Sequence, residues 1–229
     1  MSDHSPLTTH HPLTIVVTID GPAGTGKSTV ARRLAERLGF EFLNTGAMYR
    51  AVALVCLERG IPLDDLAQVG ALPQSLQIAF RANRLYLDGR DVSEAIRTAA
   101  VTDAASLVAS NSQVRSALVE LQRRAADGVN LVTEGRDQGT VVFPDAACKF
   151  YLTASPEVRA RRRQRELAEQ GKTVSLEEIL ADQRIRDERD ETRACGPMKP
   201  APDAIIIDSS GLSAEEVLER METAVRSRC

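Results

Sequence analysis

Aromatic residues make up only 3% of this 229-residue chain, and tryptophan is absent. Few rings are therefore available to stack on bases, which weakens any single-strand nucleic-acid role. Nor is there an excess of positive charge: the formal net charge is −3, whereas a general nucleic-acid binder is usually basic. The four cysteines, at 56, 148, 195 and 229, form no CxxC pair, so neither a zinc site nor a redox pair is indicated. So few cysteines in a chain of this size argue against a disulfide framework and fit a reducing compartment. No stretch approaches the ~20 apolar residues of a membrane helix. The opening "MSDHSPLTTHHPL" lacks the basic start and apolar run of a signal peptide. Residues 1–12 carry all three histidines and read as a loose tail. His10 and His11 have no carboxylate or cysteine beside them with which to hold a metal.

Apolar residues at 43% and charged residues at 27% describe a globular chain with a core of Leu, Val, Ile and Ala. The length fits one domain, or one core with insertions. "LTIVVTID" is a continuous, β-branched run that predicts a strand buried on both faces. A helix follows from Ser28 to about Leu38, with Val30, Leu34 and Leu38 four apart and Gly39 as its stop. "FEFLN" reads as a short strand, and Ala47 to Leu57 as a helix apolar nearly all round. Between 62 and 95, "LQIAF", "RLYLDG" and "RDVS" predict a small antiparallel insert. Helices are expected over roughly 98–109 and 113–126, and strands in "NLVTEGRD", "CKFYLTA" and "AIIIDSSG", the last a buried one. Ser155-Pro156 opens a further helix, and Ser175/Glu178 and Ser213/Glu216 form capping boxes for two more. Buried strands alternating with helices predict an α/β fold, a parallel sheet covered on both faces. The insert and a charged hairpin at 159–195 stand outside that plan.

Residues 21–28, "GPAGTGKS", satisfy G-x-x-x-x-G-K-[ST] in full, between a buried strand and a helix. Gly21, Pro22, Ala23, Gly24, Thr25, Gly26, Lys27, Ser28 and Thr29 are thus the candidate triphosphate loop, its N–H groups wrapped around phosphate at a positive helix end. Lys27 can reach the β and γ phosphates, and the Ser28 hydroxyl can ligate Mg²⁺ that travels with ATP. A GTPase would need a guanine-reading Asn-Lys-x-Asp, and the chain has none.

What accepts the phosphoryl group is hinted at by arginine. An alcohol acceptor would need a base near its hydroxyl. A phosphate acceptor already carries charge, and needs instead a cage of cations to bring two anions together. Arg50 lies in "NTGAMYR" and Arg136 in "EGRDQGT". Arg186, Arg189 and Arg193 punctuate "RDERDETR", stepping by three and four on one helix face, as suits a lid that closes over phosphates and excludes water. "RARRRQR" at 159–165 holds five arginines, which suit a phosphate cage, a solvated face or an RNA contact.

Taken together, "TIDGPAGTGKSTVARRLAERLG", "NTGAMYRAVAL", "GRDVSEAIRT", "TEGRDQGTVVFPDA" and "RDERDETR" closely resemble bacterial-type cytidylate kinase over about residues 14 to 226. The glycine loop alone would give only the superfamily; "GRDxGTVVFPDA" joined to "RDxxDxxR" is far more specific. The resemblance implies transfer of the γ-phosphoryl group of MgATP to CMP or dCMP. A cytoplasmic location is expected, and, with no exposed apolar stripe visible beyond the fold's own needs, a monomer. The resemblance also implies a three-layer P-loop core over 13–61 and 127–229, a nucleoside-monophosphate-binding insert over 62–126 and a short helical lid at 159–195. By motif position, Thr45, Arg50, Arg136, Arg186 and Arg193 would hold the acceptor phosphate or the transferring group. Lys27, Arg136, Arg186 and Arg193 would then be the catalytic set. Asp190 would hold the ribose hydroxyls, and Ser106, Arg115 and Asp137 would meet the cytosine. The last pair has its own physical reason: cytosine presents an amino donor where uracil presents a carbonyl, and a carboxylate accepts only from the first. Three positions depart from the family: Asn44 replaces the usual Asp, Gln138 a commonly aliphatic residue, and Gly196 the more frequent Ala or Ser.

Overall fold

The structure, a computed structural model, describes residues 14–81 and 84–228. The tail at 1–12 with His10 and His11, and the strand's expected start at Leu13, lie outside them. Five parallel strands form the central sheet: β1 (Val16–Asp20), β2 (Glu41–Asn44), β6 (Leu131–Glu134), β7 (Cys148–Thr153) and β8 (Ile205–Asp208), in the order β2-β6-β1-β7-β8. β1 is central, which is why its residues from Val17 to Asp20 are all buried. β8 is an edge strand rather than a buried one. Ile206 is 62% exposed, because β8 pairs on one side only.

Two helices, α1 (Lys27–Leu38) and α8 (Ala214–Arg228), pack on the sheet through Val30, Leu34, Leu218 and Met221 against Val17, Ile19 and Phe150. A second cluster joins α2 (Thr45–Glu58), α3 (Leu66–Ser75), α4 (Ala99–Val108) and α5 (Ser112–Arg124). α2 is buried at every position from Ala51 to Cys56, as its all-round apolar sequence predicts. A separate sheet, β3 (Ile78–Arg81), β4 (Arg84–Leu87) and β5 (Arg90–Asp91), is antiparallel. α3 was not foreseen. Gly70 and Pro73 inside it hide the helix, although Asp65 caps it by accepting the Gln68 N–H at 3.0 Å. A Cβ at Gly70 would lie 1.9 Å from Gln113 Oε1 and 2.9 Å from Gln113 Cβ, so Gln113 would have to move to admit one.

α6 (Pro156–Glu169) and α7 (Leu176–Thr192) form a hairpin with a small core of Ala160, Leu167 and Ile179. The Ser175/Glu178 capping box is present, and Ser213 and Glu216 exchange the same kind of bonds before α8. The two sheet neighbours of β1 come from later in the chain, so the carboxyl ends of β1, β6 and β7 open onto one crevice, where α/β sheets bind ligands.

Candidate active site

The register of the sheet assembles the site. Ile19 of β1 is level with Glu134 of β6, and Asn44 of β2 is level with Glu134 on its other side. The loop after Asp20 turns tightly under β7: Gly21 has φ +138°, and a Cβ there would lie 2.1 Å from the Leu152 carbonyl oxygen. No other residue type fits that approach. The Lys27 ammonium donates to the Pro22 carbonyl at 2.6 Å, as does the Thr25 hydroxyl at 3.1 Å. Ser28 Oγ donates to Glu134 Oε1 at 2.8 Å. Burial first, and then the neighbouring Arg136 charge, bring the Lys27 ammonium down to about 7. Burial pushes Asp20 up to about 7, against the N–H groups of Gly139 and Gln138 that it accepts at 2.8 Å each.

On the acceptor side, Thr45 Oγ1 donates to the Glu134 carbonyl at 2.7 Å. Asn44 caps α2 by accepting the Ala47 N–H at 2.9 Å, a task that needs a side-chain oxygen and not a charge. Arg136 donates from Nε to Asp190 Oδ2 at 2.8 Å. Burial alone would lower Arg136, but Asp190 and Glu134 outweigh it; burial alone would raise Asp190, but Arg136 and Arg186 outweigh it. Two guanidinium donors remain, Arg50 Nε and Arg186 Nε, which are buried without a partner; so, among the described residues, are Thr18 Oγ1, Gln122 Nε2, Gln183 Oε1 and Asp187 Oδ1. Burial, with Arg136 adding, brings Arg186 down to about 10, and burial lowers Arg50 as well. Buried, unpartnered guanidinium donors are a rare and costly feature, and they suit an incoming anion. Arg50 also lines a cavity of about 450 Å³ with Ser28, Thr29, Asn44 and Arg97, so the Ser28 hydroxyl and the Arg50 guanidinium share one space.

Farther out, Asp137 and Arg115 form a buried ion pair, 5% and 4% exposed at their side chains. Arg193 Nη2 approaches the second Asp137 oxygen at 3.4 Å, and Arg115 Nη1 donates to Tyr49 Oη at 3.3 Å. Ser106 Oγ accepts from Arg189 at 3.1 Å. Arg193 is the C-cap of α7: its N–H still donates to the Arg189 carbonyl at 3.2 Å, and the backbone leaves the helix only after it. Its side chain is only 4% exposed and Nε donates to the Gly196 carbonyl at 2.5 Å. Gln138 points into the fold: Oε1 accepts from Thr133 Oγ1 at 2.9 Å and Nε2 donates to Gln122 at 3.0 Å. It follows Asp137 into a short π-helical turn, Gln138–Val142.

Glu134, Asp20 and Tyr49 escaped the sequence reading. Glu134 had a signal: an acid closing the apolar strand "NLVTEG", immediately before the singled-out GRD. Arg159 and Arg162 of the arginine run face the glycine loop's carbonyls and not the acceptor arginines.

A family model described as cytidylate kinase matches residues 17–227. The cytidylate kinase of Rhodopirellula baltica is 51% identical over 212 residues, 93% of this chain and 93% of that one. That of Caldanaerobacter subterraneus subsp. tengcongensis is 47% identical over 214 residues, 93% of this chain and 96% of the relative. Among solved structures, an uncharacterized protein from Eubacterium ventriosum covers 94% of this chain and all of its own at a TM-score of 0.55 and 12% identity, a likeness of fold alone.

Proposed function

This chain belongs to the cytidylate kinase family, and we infer from that premise and from the site that it transfers the γ-phosphoryl group of ATP to CMP or dCMP, giving CDP or dCDP and ADP. The observation that carries the reading is the pair of buried, unpartnered arginine Nε atoms: Arg50 shares a cavity with Ser28, and Arg186 is near enough to Lys27 to help lower its ammonium.

The acceptor oxygen needs no base, because a phosphate monoester is largely dianionic at neutral pH. It attacks the γ-phosphorus, and the bond to the ADP oxygen breaks as the new one forms. Arg50, Arg136, Arg186 and Arg193 offset the repulsion between the two anions and the charge spread over the transferring group. Lys27, held near neutral by its surroundings, regains its proton when phosphate arrives beside it. Hard oxygen donors suit Mg²⁺, and the Ser28 hydroxyl hydrogen-bonded to the Glu134 carboxylate offers them. Ser28 and Glu134 would hold the ion, and it would neutralise part of the triphosphate charge when bound with ATP. Thr45 orients the acceptor beside the Glu134 backbone, Asp190 takes the ribose hydroxyls, and Ser106, Arg115 and Asp137 take the cytosine. The α6–α7 hairpin is the lid over 159–195, the segment 62–126 holds the nucleoside monophosphate, and 13–61 with 127–229 form the P-loop core. We assign the enzyme to the cytoplasm as a monomer acting on small molecules, with no nucleic-acid or membrane partner. Among the described residues no helix is long and apolar enough to cross a membrane.

The test is ADP release from MgATP with CMP, dCMP, UMP, AMP, GMP, shikimate and no acceptor. Strong release with CMP and dCMP alone is expected. Release without any acceptor would replace the kinase by an ATPase.

A further inference from the structure

Two of the five arginines in the "RARRRQR" run of α6 turn inward. Arg159 is 5% exposed and donates from Nη1 to the Ala23 carbonyl and from Nε to the Ala154 carbonyl, both at 3.2 Å. The same Nη1 lies 2.7 Å from Asp187 Oδ2 on α7. Arg162, one turn on, donates from Nη1 to the Thr25 carbonyl at 3.2 Å and to Ser209 Oγ at 3.1 Å, and from Nη2 to the Ser209 carbonyl at 2.7 Å. Ser209 Oγ adds a 3.4 Å contact to the same Thr25 carbonyl. Alternate carbonyls of the glycine loop are thus gripped from one helix.

That grip has a geometric consequence. In a planar trans peptide the N–H points away from the C=O of the same unit, and the described chain has no cis peptide bond. Drawing the Ala23 carbonyl toward Arg159 turns the Gly24 N–H the other way. Drawing the Thr25 carbonyl toward Arg162 does the same for the Gly26 N–H. A phosphate loop works by presenting such amides to one side, and a loop free to flip them would lose much of its preorganisation. Arg suits the task where Lys does not, because a planar fork can hold two acceptors at fixed angles. Arg159 goes further, since its Asp187 partner sits between Arg186 and Asp190 on α7, and a Cβ at Gly24 would touch Arg159 Cβ at 3.2 Å and Gln183 Nε2 at 3.3 Å.

We propose that Arg159 and Arg162 are positioning residues of the phosphate loop. They aim the Gly24 and Gly26 amides at the phosphates of ATP, and Arg159 also fixes the loop's register against the helix that carries Arg186 and Asp190. The proposal rests on ATP being the donor but not on the identity of the acceptor.

The test is calorimetric titration of ADP without acceptor, beside titration of CMP, on Arg162→Met, Arg162→Lys, Arg159→Met and Asp187→Asn, with Arg161→Met as a control on the same helix. Arg162→Met is expected to weaken ADP about 10- to 100-fold, the scale on which small misplacements act, and to leave CMP affinity within about twofold. Arg162→Lys should stay close to the Met variant. Asp187→Asn should spare ADP affinity but raise the CMP KM several-fold, because only the link to α7 is cut. If Arg162→Lys binds ADP as wild type does, charge alone matters and the positioning role is wrong. Equal losses of ADP and CMP affinity, or a fall in melting temperature with ADP binding intact, would also overturn it. Should Arg159→Met fail to fold, the half-buried Arg162 decides the matter. Since ADP binding is read without acceptor, a wild type that ignores CMP would sink the kinase reading while leaving this one standing.

Discussion

Asp137→Asn tests the base-reading assignment. The carboxylate is 3% exposed and held from two sides, by Arg115 at one oxygen and Arg193 at the other. A carboxylate has about four lone-pair sites, so it can still accept from the cytosine amino group. A hydrogen bond to a charged group contributes about 1.5–3 kcal/mol. Uracil would instead bring its carbonyl oxygen against the carboxylate and leave both unsatisfied, at a cost of about 1–3 kcal/mol. The sum, about 2.5–6 kcal/mol, is roughly 10²- to 10⁴-fold in kcat/KM. Asn keeps the shape and an oxygen for Arg115, but it can turn an amino donor toward the base. The CMP/UMP ratio of kcat/KM should therefore fall by about 100-fold or more, mostly through loss on CMP. Removing the partner of a buried charge also destabilises, by about 3–5 kcal/mol when nothing replaces it. Asn retains an acceptor, so the variant should remain folded, and a melting curve checks this. A folded Asp137→Asn with an unchanged CMP/UMP ratio would refute the reasoning, leaving Asp137 a structural partner of Arg115.

Four further outcomes follow from the same geometry. Lys27→Met should cut ADP release with CMP by about 10³-fold, in the range seen when a transition-state donor is removed. Because Lys27 sits at about 7 instead of 10.5 in the free protein, it is mostly uncharged at pH 8. Nucleotide binding there should take up close to one proton and weaken as pH rises from 7 to 9; calorimetry in two buffers of different ionisation heat measures this, and zero uptake contradicts it. Gln138→Leu strands Thr133 Oγ1 and Gln122 in the core and should cost about 1–3 kcal/mol in urea unfolding with the CMP/UMP ratio unchanged. Gly196→Ala should raise the CMP KM several-fold with little effect on the ATP KM, because φ is +60° and a Cβ would lie 2.2 Å from Arg115 Nη2 and Asp137 Oδ2.

Where periodicity and caps agreed, the sequence foretold the structure. Val30, Leu34 and Leu38 announced α1, and Ser175 with Glu178 announced the start of α7. α3 was missed because Gly70 and Pro73 are poor helix residues on local grounds, and only the tight contact with Gln113 explains the glycine. β8 looked buried because "IIID" is apolar, yet strand order is a long-range property that composition does not carry. Arg193 is the residue on which α7 ends, held by the last helical bond to the Arg189 carbonyl, and its spacing alone did not show that the chain turns away there. "RARRRQR" shows the limit most clearly. Five arginines in seven residues suggest an anion-binding surface, but which ones turn inward depends on where α6 crosses the glycine loop.

The site also holds more positive charge than its own acids balance. Lys27 is brought down to about 7, Arg186 to about 10, and Arg50 and Arg186 each keep a buried Nε without a partner among the described residues. Each of these is unfavourable in the protein alone, since burying a charge without full hydrogen bonding opposes folding. Two phosphorylated substrates would supply the missing acceptors at once. An anion beside Lys27 relieves the strain that Arg136 imposes there, and an anion beside Arg186 does so for the same arginine from the other side. Arg136 therefore acts on Lys27 and on Arg186 alike. It attracts an anion at either place, but the two anions repel and the first offsets charge that would draw the second, so on charge alone each should weaken the other's binding. A thermodynamic cycle with ADP and CMP reads that coupling directly, and Arg136→Met should weaken both affinities taken singly, because the cation that attracts each anion is gone.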